Sequence, residues 1–314
     1  MKPIALDAMG GDYAPRETVA GAILAAEAGV PVMLVGDEAR LKAELEALGG
    51  ELPIVHAPEV VAMDEDATLV RRKKGASINV AVRLVKEGEA AAVVSMGHTG
   101  ASLAAALFIL GREKGIERPA LLAELPADAP SGRVHVIDAG ANADVRPSHL
   151  VGFAELGRRW ARHRGVEQPR IGLLSIGEEE RKGNQLIKAA WPLMEKVEGF
   201  IGNVEGRDIL AGKADVVVTD GFTGNVVLKL VEGEARVLMG WVKAALTSST
   251  RAKLGALLAR DALRALARRL DPAEYGAMPL LGLNGPVFVG HGASDRRAVK
   301  NALIRARDWA RALG

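Results

Sequence analysis

Short apolar runs alternate with amphipathic stretches along most of this chain. Eight runs read as strands: 3–9 (PIALDAM), 31–36 (PVMLVG), 52–56 (LPIVH), 90–96 (AAAVVSM), 133–138 (RVHVID), 170–176 (RIGLLSI), 214–220 (ADVVVTD) and 285–291 (GPVFVGH). Several are apolar on both faces, as befits strands covered by helices on both sides of a parallel sheet. Between them, 16–29, 37–48, 76–87, 99–110, 147–163 and 183–197 repeat their apolar positions at the helical period. This alternation predicts an α/β fold: a doubly wound, mostly parallel sheet with right-handed crossovers. The rhythm breaks at 222–284, where strands vanish and a helical insertion is expected. The whole of 1–314 reads as one α/β unit with a single cleft.

Composition narrows the chemistry. The 314 residues are 49% hydrophobic and 25% charged, an ordinary balance for a globule. With no cysteine, disulfides, thiolate metal sites and cysteine nucleophiles are excluded. No signal-peptide core stands at the start, and no run reaches the ~18 apolar residues of a spanning helix, so a cytoplasmic protein is expected. A net charge of +2 gives no argument for nucleic acid.

Six of the expected strands end in glycine, hydroxyl and amide residues. The ends are GGD (10–12), GHTGA (97–101), DAGAN (138–142), GEEERKGN (177–184), DGFTGN (220–225) and GHGASD (290–295). In open α/β sheets ligands bind outside such carboxyl ends. Glycine lets backbone N–H groups approach an anion, and helix N-termini add partial positive charge. Each motif alone also reads as a turn or cap; DGFTGN could simply start a helix with Asp220 or Thr223 as N-cap. Together the six favour one phosphate-type cleft. No GxGxxG follows the first strand, and no GxxxxGK[ST], GxSxG or HExxH is present. An enzyme with neither metal nor cofactor, holding a phosphate ion as nucleophile, fits the remainder.

DAMGGDYAP (7–15), SMGHTGA (95–101), GREKGIERPAL (111–121), DAGAN, GEEERKGN, IGNVEGRD (201–208), VVVTDGFTGNVVLK (216–229) and GHGASD occur in this order. By these motifs the chain resembles the phosphate acyltransferases of bacterial phospholipid synthesis over nearly its whole length. The resemblance implies the fold shared by phosphotransacetylases and isocitrate/isopropylmalate dehydrogenases, and a homodimer. It implies conversion of acyl-[acyl carrier protein] and inorganic phosphate to acyl phosphate, which feeds a membrane glycerol-3-phosphate acyltransferase. Lys182 and Asn225 are then the catalytic residues, steadying phosphate or oxyanion. The substrate site would comprise Asp7, Gly10, Gly11, Asp12, His98, Thr99, Gly100, Asn142, Asp220, Thr223, Gly224 and His291. Two positions depart from the family pattern: His98 stands where asparagine is expected, and Glu178 where threonine is common. Asp7 and Asp12 either orient the donors of the anion site or cap turns.

Charge is unevenly spread. Residues 251–270 hold six basic residues against one acid, Asp261. Leu254, Leu257 and Leu258 form one stripe there, and Ala259, Ala262, Leu263, Leu266 and Leu270 a second, rotated from the first and opposed by Arg260, Arg264 and Arg268. A bent pair of short amphipathic helices protruding over 245–272 is expected. Such a pair either packs on protein or sits on anionic lipid, through Leu254, Leu257, Leu258, Arg260 and Arg264, as the resemblance implies. The run Arg71, Arg72, Lys73, Lys74 is either a solvated start to a helical segment or a docking patch for an acidic carrier protein. Two rivals remain on the residues alone. A nicotinamide- and metal-dependent oxidoreductase or decarboxylase would need an acidic metal cluster and an adenosine pocket. A silent membrane-binding module built on 251–270 would need no cleft.

Overall fold

The computed structural model describes residues 1–313, the Pro272 side chain apart. The first half contains β1 (Ile4–Asp7), α1 (Arg16–Glu27), β2 (Val32–Gly36), α2 (Glu38–Leu48), β3 (Ile54–His56), α3 (Ser77–Lys86), β4 (Ala92–Ser95) and α4 (Thr99–Ile109). Next come β5 (Ala120–Pro126), β6 (Arg133–Ile137), α5 (Pro147–His163), β7 (Ile171–Leu174), α6 (Gln185–Met194), β8 (Phe200–Val204), α7 (Gly206–Leu210) and β9 (Val216–Val218). The chain closes with α8 (Gly221–Thr247), α9 (Thr250–Leu258), α10 (Arg260–Leu270), β10 (Ala277–Leu281), β11 (Val287–Gly290) and α11 (Arg296–Leu313).

The strands form one sheet in the order β3-β2-β1-β4-β11-β10-β5-β6-β9-β7-β8. Two blocks are internally parallel: β3, β2, β1, β4 and β11 on one side, β6, β9, β7 and β8 on the other. Antiparallel pairings of β11 with β10, β10 with β5 and β5 with β6 join them. Three reversals leave the blocks pointing in opposite directions.

Three strands go beyond those the apolar runs predict. β5 carries Glu124 at its centre, β8 carries Gly202 and Asn203, and β10 carries Pro279. Each of these residues disfavours a strand by local propensity, and tertiary pairing overrides it. β10 lies inside the stretch expected to hold none. Arg71–Lys74 do not begin a helix either; they link a 3₁₀ turn at Ala67–Arg71 to α3.

Trp160, Phe153 and Phe288 are among the largest fully buried side chains. Within this core lies the buried carboxylate of Glu124. Its Oε1 accepts from Trp160 Nε1 at 2.9 Å and lies 2.7 Å from Arg305 and 3.0 Å from Arg164. Burial pushes this carboxyl up, but the neighbouring positive charges win and hold it at about 2. His135 on β6 is wholly buried, 3.8 Å from Glu124, with both ring nitrogens lacking a hydrogen-bond partner. Burial drives its pKa down to about 4 against the pull of Glu124. At neutral pH His135 is therefore uncharged, and the arginines alone compensate Glu124. These arginines, at the end of α5 and in α11, tie distant segments to the middle of β5.

A histidine forced to stay neutral when folded makes stability pH-dependent. Below its ordinary pKa of about 6.5 the unfolded chain takes up a proton that the native state refuses until about pH 4. Stability should therefore be full above pH 6.5 and fall by roughly 3 kcal/mol down to pH 4. Chemical denaturation across this range should show that slope in the parent and a flatter one in His135→Leu.

Candidate active site

Gly10, Gly11 and Gly97 let three loops meet where side chains would keep them apart. A Cβ on Gly10 would lie 2.8 Å from both Asp7 Oδ2 and the Gly97 nitrogen. Gly11 adopts φ 112°, open to glycine at little cost, and faces the carbonyls of Gly292 and Met96. The Asp12 N–H donates to the Gly292 carbonyl at 2.8 Å. The loops after β1, β4 and β11 thus form one floor. Beneath it Asp7 is buried, accepting from Ser95 Oγ at 2.7 Å, and that hydroxyl accepts from the Gly97 N–H. Burial raises the Asp7 pKa, while hydrogen bonds from Ser77 and Ser95 pull against it.

His98 caps α4. Its Nδ1 accepts from the Ala101 N–H at 3.2 Å, which puts the ring proton of the neutral imidazole on Nε2. An asparagine oxygen would do the same, so histidine keeps the cap. Thr99 and Gly100 follow in the first turn.

The second half of the site is built on Asp138. Its carboxylate accepts from the N–H groups of Leu121, Gly140, Ala141 and Asn142 and from the Asn142 side chain. Asn142 Nδ2 also reaches the Pro119 carbonyl, so both its protons are held by the protein. Asp220 caps α8, one oxygen accepting from the Thr223 N–H and the other from its hydroxyl, each at 2.8 Å. A Cβ on Gly224 would collide with the Asp138 carbonyl, and one on Gly221 with Asn142. The start of α8 therefore seats directly on this loop and presents Asn225 beside Gly140.

Between the two halves lies a cavity of about 720 Å³, within the usual range for small-molecule sites. At its polar end are Asp12, Gly97, Thr99, Gly140, Asn225 and His291. It continues between β5 and α8 past Leu121, Leu228, Ala235 and Met278 to Leu266 and Leu270 of α10. Glu124 and Arg305, mutually compensated, also border it. Among the described residues no cluster of three or more His, Asp or Glu side chains could hold a metal.

Not every nominated residue converges here. Lys182 is exposed on the loop beyond β7 and does not line the cavity. That loop is fastened elsewhere, with Glu178 paired to Lys213 at 2.7 Å and the Glu179 carbonyl accepting from Asn203. Two strands separate β7 from β5 in the sheet, which accounts for the loop standing apart. Lys73 is spent on Glu65 and the Val60 carbonyl, whereas Arg71 lies 3.9 Å from the Phe108 ring and Arg72 and Lys74 are exposed. Leu254, Leu257, Leu258, Arg260 and Arg264 are exposed on α9 and α10, far along the chain from the polar end. Ser95 and Asp138 are the supporting residues that the motifs do not single out as site residues. The available signal was positional: each sits at the end of a strand, next to a glycine-bearing loop.

Comparisons with known proteins bear on this arrangement. Residues 2–312 match the model of a family described as fatty acid synthesis protein. The phosphate acyltransferase of Thermus thermophilus is 62% identical over 306 residues, covering 97% of this chain and 93% of that protein. Among solved structures, a phosphotransacetylase from Streptococcus pyogenes superposes with a TM-score of 0.64 at 20% identity, covering 99% of this chain and 94% of the other. A 4-hydroxythreonine-4-phosphate dehydrogenase from Klebsiella pneumoniae follows at 0.59 and 16%, covering 99% and 100%. At these identities the two structures speak for the fold alone.

The close approach at Gly10 predicts a cost. Gly10→Ala should destabilise the protein by about 1–3 kcal/mol through overpacking against Asp7 and Gly97. Gly152→Ala in α5, with nothing within 4 Å, should be neutral or stabilising by up to ~1 kcal/mol. Urea unfolding of the two variants checks both.

Proposed function

Since the chain belongs to the fatty acid synthesis protein family and is one of its phosphate acyltransferases, we propose that it moves an acyl group from acyl-[acyl carrier protein] to inorganic phosphate. The observation that carries this reading is one continuous cavity with a polar end at Gly97, Thr99, Gly140 and Asn225 and an apolar continuation. One end suits phosphate and a reacting carbonyl, the other an acyl group.

Phosphate dianion, held by the first turn of α4 with Thr99, attacks the thioester carbonyl. A C–O bond forms, a tetrahedral oxyanion appears, and the C–S bond then breaks to release the carrier's thiolate, which takes up the proton that the phosphate dianion brought in. Fixing phosphate against the carbonyl can remove up to ~7–11 kcal/mol of the barrier. Asn225 Nδ2 donates to the oxyanion; Lys182, outside the cavity in this conformation, steadies the added charge when its loop closes on bound substrate. Thioester and acyl phosphate are both activated, so the step runs either way. The product supplies acylation of glycerol 3-phosphate by a membrane enzyme. The exposed Arg71, Arg72 and Lys74 are the docking patch for the acidic carrier.

The exposed faces suit the remaining partners. On α8, Phe222, Val226, Leu230, Val237 and Trp241 form an exposed apolar stripe at helical spacing, which we assign to a second copy of the chain. On α9, Leu254, Leu257 and Leu258 are 60%, 63% and 84% exposed, beside the arginines of α10. No helix of the described residues is long and apolar enough to cross a membrane. These leucines and arginines are suited to rest on anionic lipid at the inner face of the cell membrane.

Two experiments test these assignments. With palmitoyl-[acyl carrier protein] and phosphate, Asn225→Ala should lower kcat by about 10²–10³, the usual loss for one oxyanion donor. Lys182→Ala should lower it as well; full activity in that variant would leave Lys182 a surface residue. Co-sedimentation with phosphatidylglycerol vesicles should be strong for the parent and lost when Leu254, Leu257 and Leu258 become serine, with activity in solution unchanged.

A further inference from the structure

Arg71, Arg72 and Lys74 are exposed, but Lys73 turns inward, and the segment it holds crosses the reacting end. Residues 60–75 leave and rejoin the fold at one place, where Glu59 bridges to Ala76 and the Ser77 N–H donates to the Glu59 carbonyl at 2.9 Å. Such compact loops with closed ends are packed by their own side chains. At the tip, the Glu65 N–H donates to the Ala62 carbonyl at 3.2 Å, and the Ala62 N–H donates to Glu65 Oε2 at 2.8 Å. Met63 and Asp64 are the corners of this turn.

The tip spans the polar end of the cavity from one loop to another. Met63 lines the cavity, and its Cε is 2.9 Å from where a Cβ on Gly292 would stand, beside the Asp12 carboxylate. Four residues on, the Ala67 methyl is 3.1 Å from the equivalent point on Gly100, in the first turn of α4. The stretch 63–67 therefore bridges the loop after β11 and the helix start that carries Thr99. One lysine fastens it. Lys73 Nζ donates to the two oxygens of Glu65 at 2.7 and 2.6 Å and to the Val60 carbonyl at 2.8 Å. These acceptors engage all three of its protons, and bonds between ionised groups are about twice as strong as neutral ones. The lysine is itself fixed, because its carbonyl accepts from Nδ2 of the buried Asn79 on α3 at 2.8 Å.

A site of this chemistry has to keep water out. Donors aimed at the tetrahedral oxyanion favour it whether phosphate or water has attacked, and thioester and acyl phosphate both hydrolyse. An apolar side chain at the reacting end displaces water from it and suppresses that side reaction. From this placement we infer that Met63 shields the reacting end from water, and that Lys73 is the positioning residue that keeps it there. The inference rests on the acyl-transfer reading above and adds the residues that make phosphate, and not water, the nucleophile.

Palmitate release from palmitoyl-[acyl carrier protein] without phosphate measures the leak. In that reaction the water oxygen bonds to the carbonyl carbon and the C–S bond breaks. The carrier's thiolate takes the proton that water gives up, leaving fatty acid and thiol. Met63→Gly and Lys73→Met should each release palmitate at least tenfold faster than the parent. Met63→Leu, apolar and of similar volume, should release it at the parent's rate. A gain of hydrolysis cannot come from a variant that merely folds poorly. Parental rates in both Met63→Gly and Lys73→Met, with acyl phosphate still formed by the parent, would overturn the shield and keep the reaction. A gain in Met63→Gly alone would overturn the role of Lys73. A gain in both variants of a parent that forms no acyl phosphate would support the shield and overturn transfer to phosphate.

Discussion

At the end of β6 a carboxylate with no exposed surface accepts five N–H groups, and half of the site depends on them. Burying the Asp138 charge is expensive, costing several kcal/mol before its donors are counted. Donors to an ionised oxygen are about twice as strong as neutral ones, yet burial still dominates and raises its pKa. The arrangement fixes the start of β5 through Leu121 and the loop 139–142 through its own amides. It also fixes α8, whose Gly221 donates to the Asn142 carbonyl and whose Gly224 rests on that of Asp138. Asn225 holds its position only because this chain of contacts leaves α8 no freedom at its first turn.

Acids beside an anion site look like a contradiction, and three of them resolve in the same way, while Asp12 itself lines the polar end. Asp7 takes the hydroxyl of Ser95, Asp220 takes both donors of Thr223, and Asp138 takes a ring of amides. Each of these carboxylates is occupied by donors of its own protein. From those loops Gly97, Thr99, Gly140 and Asn225 line the cavity. The acids act as fixtures for the loops, and His98 does the equivalent for α4 with a ring nitrogen.

This division explains which parts were legible in the sequence. β1, β4 and β9 announce themselves because they are apolar on both faces. β5 does not, since Glu124 becomes tolerable only through Arg164 and Arg305, 40 and 181 positions away. Glycine at strand ends pointed to the loops after β1, β4, β6 and β11, which meet at the cavity. It could not tell that the equivalent loop after β7 belongs to a more distant part of the sheet, and Lys182 stands there. Nor could spacing separate a ligand from a cap: Asn142 and Asp220 carry the polar atoms expected of a binding residue and spend them on neighbouring backbone and side chains. The two-sided character of α8 was also hidden, because a helix that is apolar toward a cavity and apolar toward solvent shows little amphipathic contrast.

α8 carries two faces on one rigid rod. Asn225 and Leu238 face the cavity, while Phe222 and Trp241 lie exposed on another side. Each residue in a helix turns the chain by about 100°. One residue inserted or deleted between 225 and 238 would swing everything downstream a quarter-turn or more, exchanging cavity-facing for outward positions. Substitutions can retune this helix position by position, but its length is not free to drift. Across relatives, this stretch should be a place where alignments carry no gaps, even where the residues themselves change.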